Sequence, residues 1–202
     1  MADLDRALSD IADIRHQIAA AHLFRGFGPL VIAITGVLSL AVALAQTLFP
    51  QLLSFDIDRF FAIWIITAFI CIAIIGIEMV ARSRRHHGAL AADMIQHAVE
   101  QFLPAGAAGA ALGIVILRHA PDAAWMLPGI WQVLVALGIF AALRRLPRPV
   151  AYVGAWYFLS GLFCLMMISE TRQLSPWLMG LPFGLGQFLM AGILHVAGRD
   201  AQ

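Results

Sequence analysis

The sequence predicts an all-α fold: a polytopic integral membrane protein of six transmembrane helices, with an N-terminal cytoplasmic amphipathic helix and a second cytoplasmic helix between spans two and three. Three observations carry this reading. The chain is 61% hydrophobic and 12% charged, with a mean hydropathy of +0.86, which is too apolar for a water-soluble domain of 202 residues. Six apolar runs are long enough, at ~1.5 Å of rise per residue, to cross a ~30 Å hydrocarbon core. The 13 basic residues, all arginine, gather in short clusters beside those runs. Arginine without lysine, together with abundant alanine, fits a GC-rich bacterial genome, so the expected location is the bacterial cytoplasmic (inner) membrane.

Residues 1–25 form the first unit. Leu4, Ala7, Ile11, Ile14, Ile18 and Ala21 recur at heptad a and d spacing over residues 3–24, which puts one narrow apolar seam along a polar helix. Such a helix lies on the inner membrane surface or against the protein's own loops. The seam also suits a homo-oligomer contact or a cytoplasmic protein partner. The stretch lacks the basic region and apolar core of a signal peptide, so no cleavage is expected.

The membrane domain, 26–197, opens with Gly26, Gly28 and Pro29, the proline falling in the first helical turn, where its missing N–H costs little. Spans are expected over 27–49, 59–81, 102–118, 123–143, 149–169 and 176–196, with a tail over 198–202. A cytoplasmic helix is expected over 83–101. Glu78, the one carboxylate inside a span, stands four residues before Arg82 and is expected to pair with it at the interface rather than relay protons. Six spans put both termini on one side. Arg6, Arg15, Arg25, Arg82, Arg84, Arg85, Arg144, Arg145, Arg148 and Arg199 share that side against Arg59, Arg118 and Arg172, so the termini are expected to be cytoplasmic. Trp64, Trp125 and Trp177 are expected to form an outer aromatic belt, with Tyr152, Trp156 and Tyr157 as inner-leaflet aromatics. Small residues at every fourth position, Ala105, Gly109 and Gly113 in the third span and Gly180 with Gly184 in the sixth, mark those two helices as the tightly packed interior.

Two internal likenesses bear on function. His22 and Phe27 precede Pro29 by seven and two residues, and His97 and Phe102 precede Pro104 likewise; duplication and chance both account for so few matches. The fourth and sixth spans share Trp, Leu-Pro, Gly and Gln in order. Pro182 lies beyond the first turn and frees the carbonyl of Leu178, and Gln132 and Gln187 are amides that need partners. Gln132, Gln187, Pro182 and Gly184 are therefore the candidate intramembrane binding residues. The alternative is that each glutamine bonds a neighbouring helix.

Arg82, Arg84, Arg85, Arg144, Arg145 and Arg148 are candidate contacts for the headgroups of anionic phospholipids, worth ~1 kcal/mol per arginine near the surface. His86, His87, Asp93, His97 and Glu100 are weak metal candidates, since Asp93, His97 and Glu100 would share one helix face; a solvated face is the simpler reading. Cys71 and Cys164 lie inside apolar runs and imply no disulfide or metal motif. A net charge of +1 leaves no basic field for nucleic acid. No catalytic triad, phosphate loop or intramembrane carboxylate pair is present, so neither an enzyme nor a cofactor is expected. The expected function is that of a non-enzymatic sensor, accessory or scaffold acting through cytoplasmic helices and lipid contacts. The alternatives are a small transporter or channel for an uncharged or weakly polar solute, and a metal- or haem-binding redox protein using His22, His86, His87 or His97.

Overall fold

A computed structural model describes residues 28–54, 56–86, 91–143 and 146–199, with backbone alone over 82–99 and at 101 and 171. The expected helix at 3–24 lies outside these residues, as do 200–202 of the expected tail, whose first two residues, Gly198 and Arg199, end the last helix. Six helices are long and apolar enough to cross a membrane, and among the described residues there is no strand. In chain order the elements are α1 (Pro29–Leu48), a short α2 (Pro50–Leu53), α3 (Ile57–His86), α4 (Ala91–His119), a 3-10 turn (Pro121–Met126), α5 (Leu127–Ala142), a second 3-10 turn (Arg148–Val150), α6 (Ala151–Thr171) and α7 (Trp177–Arg199).

Local chemistry explains the ends. Gly28 is the N-cap of α1 with Pro29 at the first helical position. Asp56 Oδ1 accepts the Arg59 N–H at 2.6 Å and caps α3, satisfying one of the donors that a helix start leaves open. Pro121 opens the first 3-10 turn and Pro128 falls in the first turn of α5, so neither breaks a helix. Pro104 is different. It lies well inside α4, so the polar segment and the third span are one continuous helix.

The expected helix over 83–101 is thus corrected. Residues 83–86 extend α3, 91–101 begin α4, and 87–90 lie outside the described residues. Pro104 costs only the bond to the carbonyl of Glu100, whose side chain is exposed, so water can serve that carbonyl instead. The two proline-led units are also not equivalent, since Pro29 starts a helix and Pro104 interrupts one.

The bundle is built on two close helix pairs. In α1 and α7, a Cβ added at Gly184 would lie 2.7 Å from Leu40 Cγ, one at Gly36 would lie 3.0 Å from the Gly184 carbonyl oxygen, and one at Gly180 would collide with Ala43. In α5 and α6, Cβ atoms added at Gly129 and Gly161 would lie 2.7 and 2.8 Å from each other's carbonyl oxygens. In lipid no hydrophobic force drives helices together, so backbone approach through missing side chains supplies the packing. The small residues of the sixth span bring it against α1; those of the third span do not bring it against a neighbouring backbone. Only 11% of the third span is buried, against 44% of the fourth, because Gly109 and Gly113 receive the flat side chain of Trp131 rather than a neighbouring backbone. Trp131 Nε1 donates to the Gly109 carbonyl at 3.0 Å.

The aromatic expectations are corrected in the same way. Trp64 is 4% exposed, packed with Phe60, Phe61, Leu127 and Met179, so it is core and not belt. Trp125 and Trp177 are half-buried. Of the three inner aromatics only Tyr152 faces outward; Trp156 and Tyr157 turn towards α7. The outward faces are apolar, as with Ile66, Phe69, Ile72 and Ile77 on α3, a surface suited to lipid and not to water. Glu78 sets its carboxylate against Gly28, at the N-terminal end of α1, where unpaired N–H groups favour an anion; the Arg82 side chain lies outside those described.

If the two glycine-mediated pairs hold the bundle, Gly180→Leu will lower unfolding free energy by about 1–3 kcal/mol through overpacking. Gly106→Leu, where a Cβ meets nothing within 4 Å, will change it by less than about 0.5 kcal/mol. Reversible unfolding in mixed micelles measures both.

Candidate functional site

Proline at 182 has no N–H, so the carbonyl of Leu178, four residues back in α7, loses its helical partner. Gln132 of α5 replaces it. Its Nε2 donates to the Leu178 carbonyl at 2.9 Å, and the side chain is fully buried. Two donors from α6 reach the carbonyls that follow: Trp156 Nε1 donates to that of Pro182 at 2.9 Å, and Tyr157 Oη to that of Phe183 at 3.4 Å. Three side chains on two helices therefore stitch α7 in place around its proline. Gln132 Oε1 is left buried with no hydrogen-bond partner of normal geometry. The buried Cys164 thiol lies beside the amide but is a weak donor at best.

Of the four candidate intramembrane residues, the structure brings Gln132 and Pro182 together and leaves Gln187 and Gly184 with α1. A Cβ at Gly36 would lie 3.1 Å from Gln187 Cβ. Gln187 is nine residues from Leu178, ~13 Å along the helix axis, so the two amides do not line one path.

The other candidates that fall among the described residues lie towards the opposite, Arg148 end. Arg148 is exposed in the turn before α6. Arg82, Arg84, Arg85 and His86 lie in the last turns of α3, and Asp93 and His97 in α4, with side chains outside those described; His87, Arg144 and Arg145 lie outside the described residues altogether. Glu100 is exposed on α4. Among the described residues no group of three His, Cys, Asp or Glu side chains is placed to hold a metal.

A further site lies at the Arg59 end, where α1 finishes and α3 and α7 begin. An open vestibule of about 500 Å³ is lined by Gln46, Thr47, Pro50, Ser54, Asp56, Ile57, Phe60, Leu174, Ser175, Pro176 and Trp177. Its volume falls in the range of small-molecule sites, ~300–1,000 Å³. Gln46 is 1% exposed, and its Nε2 reaches the carbonyls of Leu53 and Phe60 only at 3.4 Å each. Gln46 Oε1 and Ser54 Oγ are buried without hydrogen-bond partners. Arg59 turns its guanidinium to the Leu52 carbonyl at 3.1 Å, which leaves Asp56 as the one charged side chain in the lining. A smaller recess of about 280 Å³ adjoins it, sharing Ile57 and Leu174 and adding Asp122, Trp125 and Arg172. Arg172 caps α6 in the left-handed conformation (φ 51°), with its N–H on the Ile168 carbonyl at 2.7 Å.

The vestibule was not read from the sequence. Gln46, Thr47, Ser54 and Asp56 signal only polar span ends, and Leu174 to Trp177, which complete the wall, are more than a hundred positions away.

Fold and sites define a helical-bundle membrane protein with an open vestibule of mixed polar and apolar lining at one end. Compared with family models, curated proteins and solved structures, the chain matches none.

Gln132→Leu will cost about 0.5–1.5 kcal/mol by orphaning the Leu178 carbonyl. Pro182→Ala restores a helical N–H to that carbonyl, so the double variant will lose less than the sum of the single losses. A double-mutant cycle measures this, and strict additivity would show that the two residues are not coupled.

Proposed function

We propose that this protein is a non-enzymatic, multi-pass sensor or accessory protein of the bacterial inner membrane. In this reading the vestibule faces the periplasm and the polar ends of α3 and α4 face the cytoplasm. The single observation that supports it best is that the vestibule has a floor. Phe60 lines its wall, and below it Phe61, Trp64, Leu127 and Met179 form one packed cluster with Ala43. Beside this cluster, Gln132 is committed to the Leu178 carbonyl rather than presented to a passage. A cup closed by aromatic packing suits binding; a transport path would need that packing to open.

The charge distribution supports the orientation. Arg59, Arg118 and Arg172 stand at the vestibule end, while Arg82, Arg84, Arg85, Arg148 and Arg199 stand at the other, where they suit anionic lipid headgroups. Residues 3–24, with their apolar seam, remain the proposed docking element for a cytoplasmic partner or a second copy.

Proteoliposomes should show the same permeability to glycerol and urea as protein-free liposomes, measured by stopped-flow light scattering. Solute flux that Gln132→Leu abolishes would instead establish a transporter. For orientation, Asp56→Cys in a Cys71→Ser, Cys164→Ser background should react with a membrane-impermeant maleimide in intact spheroplasts, and Ser83→Cys should not.

A further inference from the structure

We infer that the vestibule binds a small amphiphilic primary amine, its ammonium group held by Asp56, Gln46 and Ser54 and its apolar part against Phe60, Pro176 and Trp177. The inference rests on the vestibule being a closed binding cup, as proposed above, and adds the class of its ligand.

The lining asks for hydrogen-bond donors and a positive charge. Asp56 spends one oxygen on the Arg59 backbone N–H, and among the described residues its carboxylate has no cationic partner. Gln46 Oε1 and Ser54 Oγ are buried acceptors without a donor, and a buried polar atom left unpaired is costly, so an arriving N–H is worth more here than at an exposed site. The Gln46 amide is held by two bonds at 3.4 Å, the long limit of useful geometry, so a donor in the vestibule can turn it. An ammonium group carries three N–H donors and one positive charge, which matches a carboxylate oxygen, an amide oxygen and a hydroxyl. Anions are disfavoured by Asp56, and a wholly polar solute would leave the rings and prolines of the wall unused. A volume of about 500 Å³ accommodates an arylalkyl amine.

The test is isothermal titration of the full chain in lipid nanodiscs with 2-phenylethylamine, protonated at pH 7, against the isosteric neutral 2-phenylethanol and the trimethylated ammonium. The primary amine should bind saturably and at least about tenfold more tightly than either control, since only it brings both charge and N–H donors. Asp56→Asn keeps the helix cap, because asparagine caps as well as aspartate, but removes the charge, and should weaken binding about tenfold with unchanged thermal stability. Gln46→Leu should weaken the amine while leaving 2-phenylethanol unaffected. No saturable binding, equal binding of the neutral analogue, or full affinity in Asp56→Asn would overturn the proposal. The permeability measurement decides the closed-cup reading separately, so a failed amine titration with impermeable liposomes removes the ligand class alone.

Discussion

The structure depends on one constraint: in a membrane, a carbonyl that loses its helical partner must find another inside the protein. Pro182 creates that need at Leu178, and Gln132 meets it from α5 while Trp156 and Tyr157 bond the next carbonyls from α6. Because α5 and α6 are already locked through Gly129 and Gly161, and α7 is locked to α1 through Gly36, Gly180 and Gly184, the bonds at the proline join two rigid pairs into one bundle. Gly186 serves the same junction, since a Cβ there would collide with the Tyr157 ring. A proline that would weaken an isolated helix here fixes where its neighbours sit.

The vestibule is a consequence of the same arrangement. With α7 held against α1, its first residue, Trp177, and the preceding Leu174, Ser175 and Pro176 line the vestibule together with the end of α1 and the start of α3. The polar groups that line the vestibule are held differently from those around Pro182. Gln132 holds helices together. Gln46 reaches two carbonyls at 3.4 Å each, and its Oε1 and Ser54 Oγ have no hydrogen-bond partner.

What was legible in the sequence follows the range of the physics involved. Hydropathy and helical rise are local, so six spans could be located, and the loss of a hydrogen bond at Pro182 is a four-residue effect, so the free carbonyl of Leu178 could be named in advance. The identity of its new partner needed a contact 46 positions away, and the sequence offered Gln132 only as one of two amides at similar depth. Small-residue spacing misled for the third span because glycine admits either a backbone or a ring, and Gly109 and Gly113 admit Trp131. Trp64 near a helix end reads as an interfacial residue by position, yet its face of α3 turns inward. The vestibule draws its wall from three separated stretches whose polar residues, taken singly, are ordinary for span ends.

The most direct measurement of the central constraint is the dipolar coupling between the side-chain 15N of Gln132 and the carbonyl 13C of Leu178 in lipid bilayers, by solid-state NMR with the signal assigned through its loss in Gln132→Leu. A donor 2.9 Å from the Leu178 oxygen predicts a small through-space coupling, resolvable by long dipolar recoupling, that disappears in that variant. Finding no such coupling in the native chain, with Gln132 exchanging its amide protons freely with water, would contradict the account.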